Sequence, residues 1–110
     1  MAFQEKQLGQ LAPADTNAAS IYSPTSGTTI VKTIIIANVT AIATTFRLFL
    51  DGDGATYAVG TALFYDIPID ANATIQLDVF CPMNNTSGNL AVRSGTPSAL
   101  TFTVFGVEIT

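Results

Sequence analysis

Apolar and polar positions alternate along most of this chain, and the alternation is sharpest between Thr28 and Asp51. Thr28 to Val39 is built from Ile, Val and Thr, the side chains that suit a pleated surface. A regular strand there places Ile30, Lys32, Ile34, Ile36 and Asn38 on one face and Val31, Thr33, Ile35, Ala37 and Val39 on the other. Both faces are then largely apolar, unlike an antiparallel strand with one solvated side. A second strand follows, with Phe46, Leu48 and Leu50 inward, Thr45 and Arg47 outward, and Phe49 as the exception. The surplus apolar face predicts a covering partner, with Val31, Ile35, Val39 and Phe49 as contact candidates.

The rest of the chain reads as shorter strands between turns. Ala19–Tyr22 is a strand candidate, and Pro24–Gly27 a turn. Ala55–Tyr65 is one irregular strand or two pieces, ended by Pro68 because proline cannot donate to a ladder. Ile75, Leu77 and Val79 alternate with Thr74, Gln76 and Asp78 in a strand reaching Phe80, and residues 82–88 read as loop. Leu90 and Val92 mark another strand, and Leu100, Phe102 and Val104 the last. That last strand changes phase at Val107 and Ile109, which predicts a bulge at Gly106. No segment has helical spacing. Six to eight short strands with regular turns describe a single antiparallel β-sandwich of jelly-roll type over residues 19–110. Residues 1–18 lack alternation and contain Pro13. They are expected as an extended arm outside the sandwich, with Phe3, Leu8 and Leu11 as anchors, or as a frayed end.

Composition sharpens this picture. The 110 residues suffice for one core, and they are 48% apolar but only 11% charged. A net charge of −4, with four scattered cations, argues against a nucleic-acid surface. No apolar run approaches the roughly 20 residues of a membrane-spanning helix, and residues 1–10 lack the apolar stretch of a secretion signal. With no histidine, Ser-His-Asp and Cys-His chemistry and His-ligated zinc are excluded. Cys81, alone and followed by Pro82, reads as structural. Asp51-Gly52-Asp53-Gly54 resembles the start of a calcium loop, but Ala55 occupies the next ligand position, so a strand connection is the preferred reading. Asp66, Asp70 and Asp78 suggest a glycosidase pair only if folding unites them. Tyr22, Tyr57, Tyr65 and Phe64 form a sugar-stacking platform on the same condition. The Asn-x-Ser/Thr sequons at Asn38, Asn72 and Asn85 are expected to carry no glycan without a secretion signal. No cofactor is expected.

Several stretches resemble small structural proteins of tailed bacteriophages and prophages. They are the Ile34-Ile35-Ile36-Ala37-Asn38 strand end, the Phe46-x-Leu48-x-Leu50 strand, residues 63–78 (LFYDIPIDANATIQLD), and the closing Gly106-Val107-Glu108-Ile109. The likeness spans about residues 19–110 and consists of strand and turn patterns, with no catalytic signature to carry over. It implies a non-enzymatic virion component that forms homo-oligomers, a trimer being preferred. The expected role is a capsid decoration (cement) protein on the capsid surface, with the major capsid protein as partner. A tail, neck or fibre-associated protein and a carbohydrate-binding module are the alternatives, and an enzyme is the least favoured.

Overall fold

Val, Ile, Thr and Phe accumulate in the longer inner strands, though not in β1, and the strands are β1 Phe3–Leu11, β2 Ala19–Tyr22, β3 Thr28–Asn38, β4 Thr44–Asp51, β5 Ala62–Ile69, β6 Thr74–Met83, β7 Asn89–Ser94 and β8 Leu100–Ile109. The computed structural model that shows them describes residues 2–110, so Met1 lies outside the described residues. One 3-10 turn, Val59–Thr61, precedes β5.

The strands form two four-stranded sheets, ordered β1-β8-β3-β6 and β2-β7-β4-β5. β1 pairs with β8, β2 with β7, β3 with β6 and β4 with β5, every pair antiparallel. The chain is thus one long hairpin wrapped over on itself, closed by the β3–β8 and β4–β7 pairings. That is a jelly roll, as the sequence pattern predicts. Between the sheets, Ile34, Ile36, Phe46, Leu48, Leu90, Val92, Leu100, Phe102 and Val104 are fully buried. The Phe46 and Phe102 rings meet edge-on, with centroids 6.5 Å apart at 74°.

The two-faced apolar strand is corrected by a bulge. Register slips between Val31 and Thr33, against β8 and β6 alike. Against β8, Lys32 is the extra residue, so Thr29 and Val31 point into the same core as Ile34, Ile36 and Asn38. The irregularity foreseen at Gly106 falls at this place, but the inserted residue belongs to β3. Gly106 lies opposite Val31, where a Cβ would collide with the Ile30 carbonyl oxygen.

The arm outside the sandwich is also corrected. Phe3–Leu11 is the edge strand β1, hydrogen-bonded along β8, and Leu8 and Leu11 pack on the core. Its alternation is hidden because most of its side chains are solvated on both faces and Leu8 bulges out of register. Residues 12–18 connect β1 to β2, held by Ser98 N–H donating to the Pro13 carbonyl at 2.9 Å. Pro68 does not end β5, and β6 runs past Pro82 to Met83. Both prolines lie on edge strands, where a missing N–H costs no ladder bond.

Every sheet edge is interrupted. β1 carries the Leu8 bulge, β2 has only four residues, and β5 combines a slip opposite Arg47 with Pro68. On β6, Val79 and Phe80 together span Lys32, and Pro82 follows. Such features oppose strand-by-strand association.

Candidate functional site

The seven contact residues expected from the sequence divide in the folded chain. Val31 at 0% and Phe49 at 2% exposure are buried within the monomer, so neither offers surface to a partner. Leu8 and Leu11 are partly buried on the core. Ile35, on the outer face of β3, is half-buried between Gln76 and Thr103. Only Phe3 at 67% and Val39 at 62% are broadly exposed. Beside Val39 the fold exposes Ile42 at 73%, a residue the alternation did not single out because it lies between strands.

Val39 and Ile42 sit on the β3–β4 loop, which is organised by Asn38. That side chain is 3% exposed. Its Nδ2 donates to the Ile42 carbonyl at 2.9 Å and the Asp70 carbonyl at 3.1 Å. Its Oδ1 accepts from Thr40 N–H at 3.0 Å and the Thr40 hydroxyl at 2.8 Å. Neighbouring turns brace the loop further, through Val39 N–H to the Ala99 carbonyl and Asn72 N–H to the Thr40 carbonyl, both at 2.9 Å. A rigid backbone therefore holds two β-branched apolar side chains in water. The four loops at this end, residues 12–18, 39–43, 70–73 and 95–99, contain Asp15 and Asp70 but no lysine or arginine.

A second surface lies on the outer face of the β2-β7-β4-β5 sheet. Arg47 and Arg93 stand directly opposite each other across β4 and β7, an unfavourable like-charge pair. Tyr65 and Asp66 together face Arg47 because β5 slips there, with Asp66 at a φ of 53°. Asp66 receives Arg47 Nε at 2.6 Å and Nη2 at 3.0 Å, and lies 3.7 Å from Arg93 Nη1. The Arg47 bond, followed by the charges of both arginines, holds the Asp66 carboxyl below its ordinary value. The Arg47 guanidinium also stacks 3.9 Å above the Tyr65 ring. Phe49 is covered by Tyr57 and Tyr65, with ring centroids 6.3 and 6.5 Å away. Leu63 and Tyr65 remain 42% and 43% exposed on this face, and two guanidinium groups share one carboxylate.

The remaining candidates have local duties. Asp51 Oδ2 accepts from Thr56 N–H at 2.9 Å and Oδ1 from Asp53 N–H at 3.3 Å, which lowers its pKa and closes the β4–β5 connection. Among the described residues, no three His, Cys, Asp or Glu side chains group as a metal site. Asp66, Asp70 and Asp78 fall in the β5 bulge, the β5–β6 turn and β6. Tyr22 is separated from the Tyr57–Tyr65 cluster: its hydroxyl donates to Glu108 Oε2 at 2.8 Å and shares a 2.6 Å hydrogen bond with Thr29. Lys6 Nζ lies 2.9 Å from Glu108 Oε1, so Glu108 ties β1, β2 and β8 together. Glu5, Lys32, Thr33 and Phe105 line an open groove of about 340 Å³ on the outer face of the other sheet.

No protein-family model matches this sequence, and no curated protein matches it. Among solved structures, the chain is similar to the coat protein of tobacco streak virus, determined as a dimer. The identity is 11% and the TM-score 0.47, over 99% of this chain and 86% of that one.

Proposed function

We propose that this chain is a non-enzymatic virion structural protein, specifically a capsid decoration (cement) protein of a tailed bacteriophage. It self-associates and adds contacts over junctions of the major capsid protein. The observation that carries this reading is the β3–β4 tip. A fully satisfied buried Asn38 rigidifies a loop whose apolar side chains, Val39 and Ile42, stay broadly exposed. Preorganising an exposed apolar contact lowers the entropy lost on docking, which favours recognition. The sequence resemblance supports the phage assignment and the preference for a trimer. The blunted sheet edges direct association to side-chain surfaces, leaving strand addition disfavoured.

Locating the protein in purified particles by electron microscopy tests the assignment. Density on the outside of the head supports it, and density confined to tail, neck or fibres replaces it with the alternative virion role. Sedimentation of the purified chain tests self-association separately, a monomer at high concentration being the opposing result.

A further inference from the structure

We infer that the β3–β4 tip of one copy docks on the Arg47–Tyr65–Leu63 face of a second copy, end to flank. This rests on the self-association proposed above and names its surfaces. The two surfaces are complementary. Around the tip, Val39 and Ile42 are exposed and Asp70 is held beside them, since Asn38 donates to both the Ile42 and Asp70 carbonyls. No cation occurs in the loops at that end. On the flank, Leu63 and Tyr65 are exposed beside two arginines that share the single carboxylate of Asp66. An apolar knob with an unmatched negative charge thus meets an apolar patch with an unmatched positive one. Opposite potentials select this pairing over tip against tip, which would bring Asp70 near its own copy. Tyr and Arg are also the side chains that most often dominate interface energetics.

Geometry adds a second constraint. Tip and flank are different surfaces, so the contact is heterologous and each copy uses both, closing into a ring or continuing as a filament. A three-membered ring is the closed form that agrees with the expected trimer. Sheet-edge pairing does not compete, because the edge strand β5, which carries Leu63 and Tyr65, is broken by the Asp66 slip and Pro68.

The test uses two exposed-site variants of the full chain, Ile42→Asp at the tip and Leu63→Asp on the flank. Unchanged thermal midpoints establish that both fold. In sedimentation velocity, each variant alone is expected to associate at least about tenfold more weakly than the wild type, as for loss of an interface anchor. An equimolar mixture is expected to form a 1:1 heterodimer and nothing larger. The intact tip of Leu63→Asp fits the intact flank of Ile42→Asp, and the second junction is dead. Wild-type-like association of either variant, or a mixture that stays monomeric while the wild type associates, overturns the end-to-flank contact alone. A monomeric wild type overturns the self-association reading as well.

Discussion

Replacing Asn38 by alanine removes four hydrogen bonds from a side chain that is only 3% exposed. Each such bond contributes about 0.5–1.5 kcal/mol net, and an orphaned buried partner costs about 1–3 kcal/mol. Ile42 and Asp70 are exposed residues whose carbonyls water can reach once the amide is gone, which places the loss in the lower part of the summed range. The expected destabilisation is therefore about 2–4 kcal/mol. For a domain of this size, about 4–8 °C of melting temperature accompanies each kcal/mol, so the midpoint falls by roughly 10–25 °C. Urea unfolding with an unchanged slope measures the free energy, and hydrogen exchange at the Thr40 amide reports the loop. Asn38→Asp keeps the acceptor for Thr40 but turns a carboxylate toward two carbonyls. It is expected to be at least as damaging at neutral pH and to recover partly in acid. A loss below about 0.5 kcal/mol in Asn38→Ala would refute the claim that this side chain holds the tip rigid.

Ile34→Ala or Phe46→Ala is expected to cost about 2–5 kcal/mol in thermal or urea unfolding, since both side chains are fully buried. Asp51→Ala should cost clearly less, and calcium should leave the melting temperature of the wild type unchanged. Deleting residues 1–11 strips β8 of one of its two partners and the core of Leu8 and Leu11, each worth about 1.5–3 kcal/mol when fully buried. The truncated chain is therefore expected to unfold at a much lower temperature, whereas a docking arm would be removable without effect. Lys6 first, and then Tyr22, holds the Glu108 carboxyl below its ordinary 4.5, so its stabilisation is present above that pH and fades as pH falls through the depressed value. Burial raises the Cys81 thiol above its ordinary 9.0, so the unfolded chain ionises first and stability falls above that pH. With no histidine, the melting temperature should be flat between these limits, and Glu108→Gln should soften the acid limb.

Local pattern alone determined much of this molecule. Phe46, Leu48 and Leu50, or Ile75, Leu77 and Val79, show their inward face because a strand's side-chain period is two and one face meets the core. Turn chemistry then separated the strands well enough to read a jelly-roll sandwich. Asn38, Val39 and Gly106 could all be marked as special positions, although their duties could not. Tertiary structure decided the rest, wherever a residue's role depends on a distant neighbour. Lys32 breaks the period of β3 only because β6 and β8 pair on both sides of it, and that slip turns Val31 of the apparent surplus face into core. β1 looks like a tail until β8, some hundred residues away, offers it a ladder. Pro68 and Pro82 are tolerated because their strands lie at edges, a fact of sheet order that no local window contains. Ile42 and the Arg47–Asp66–Arg93 cluster escaped notice for the same reason. A loop residue's exposure and a cross-strand charge pair are set by which segments pack together, and that is fixed only when the hairpin wraps.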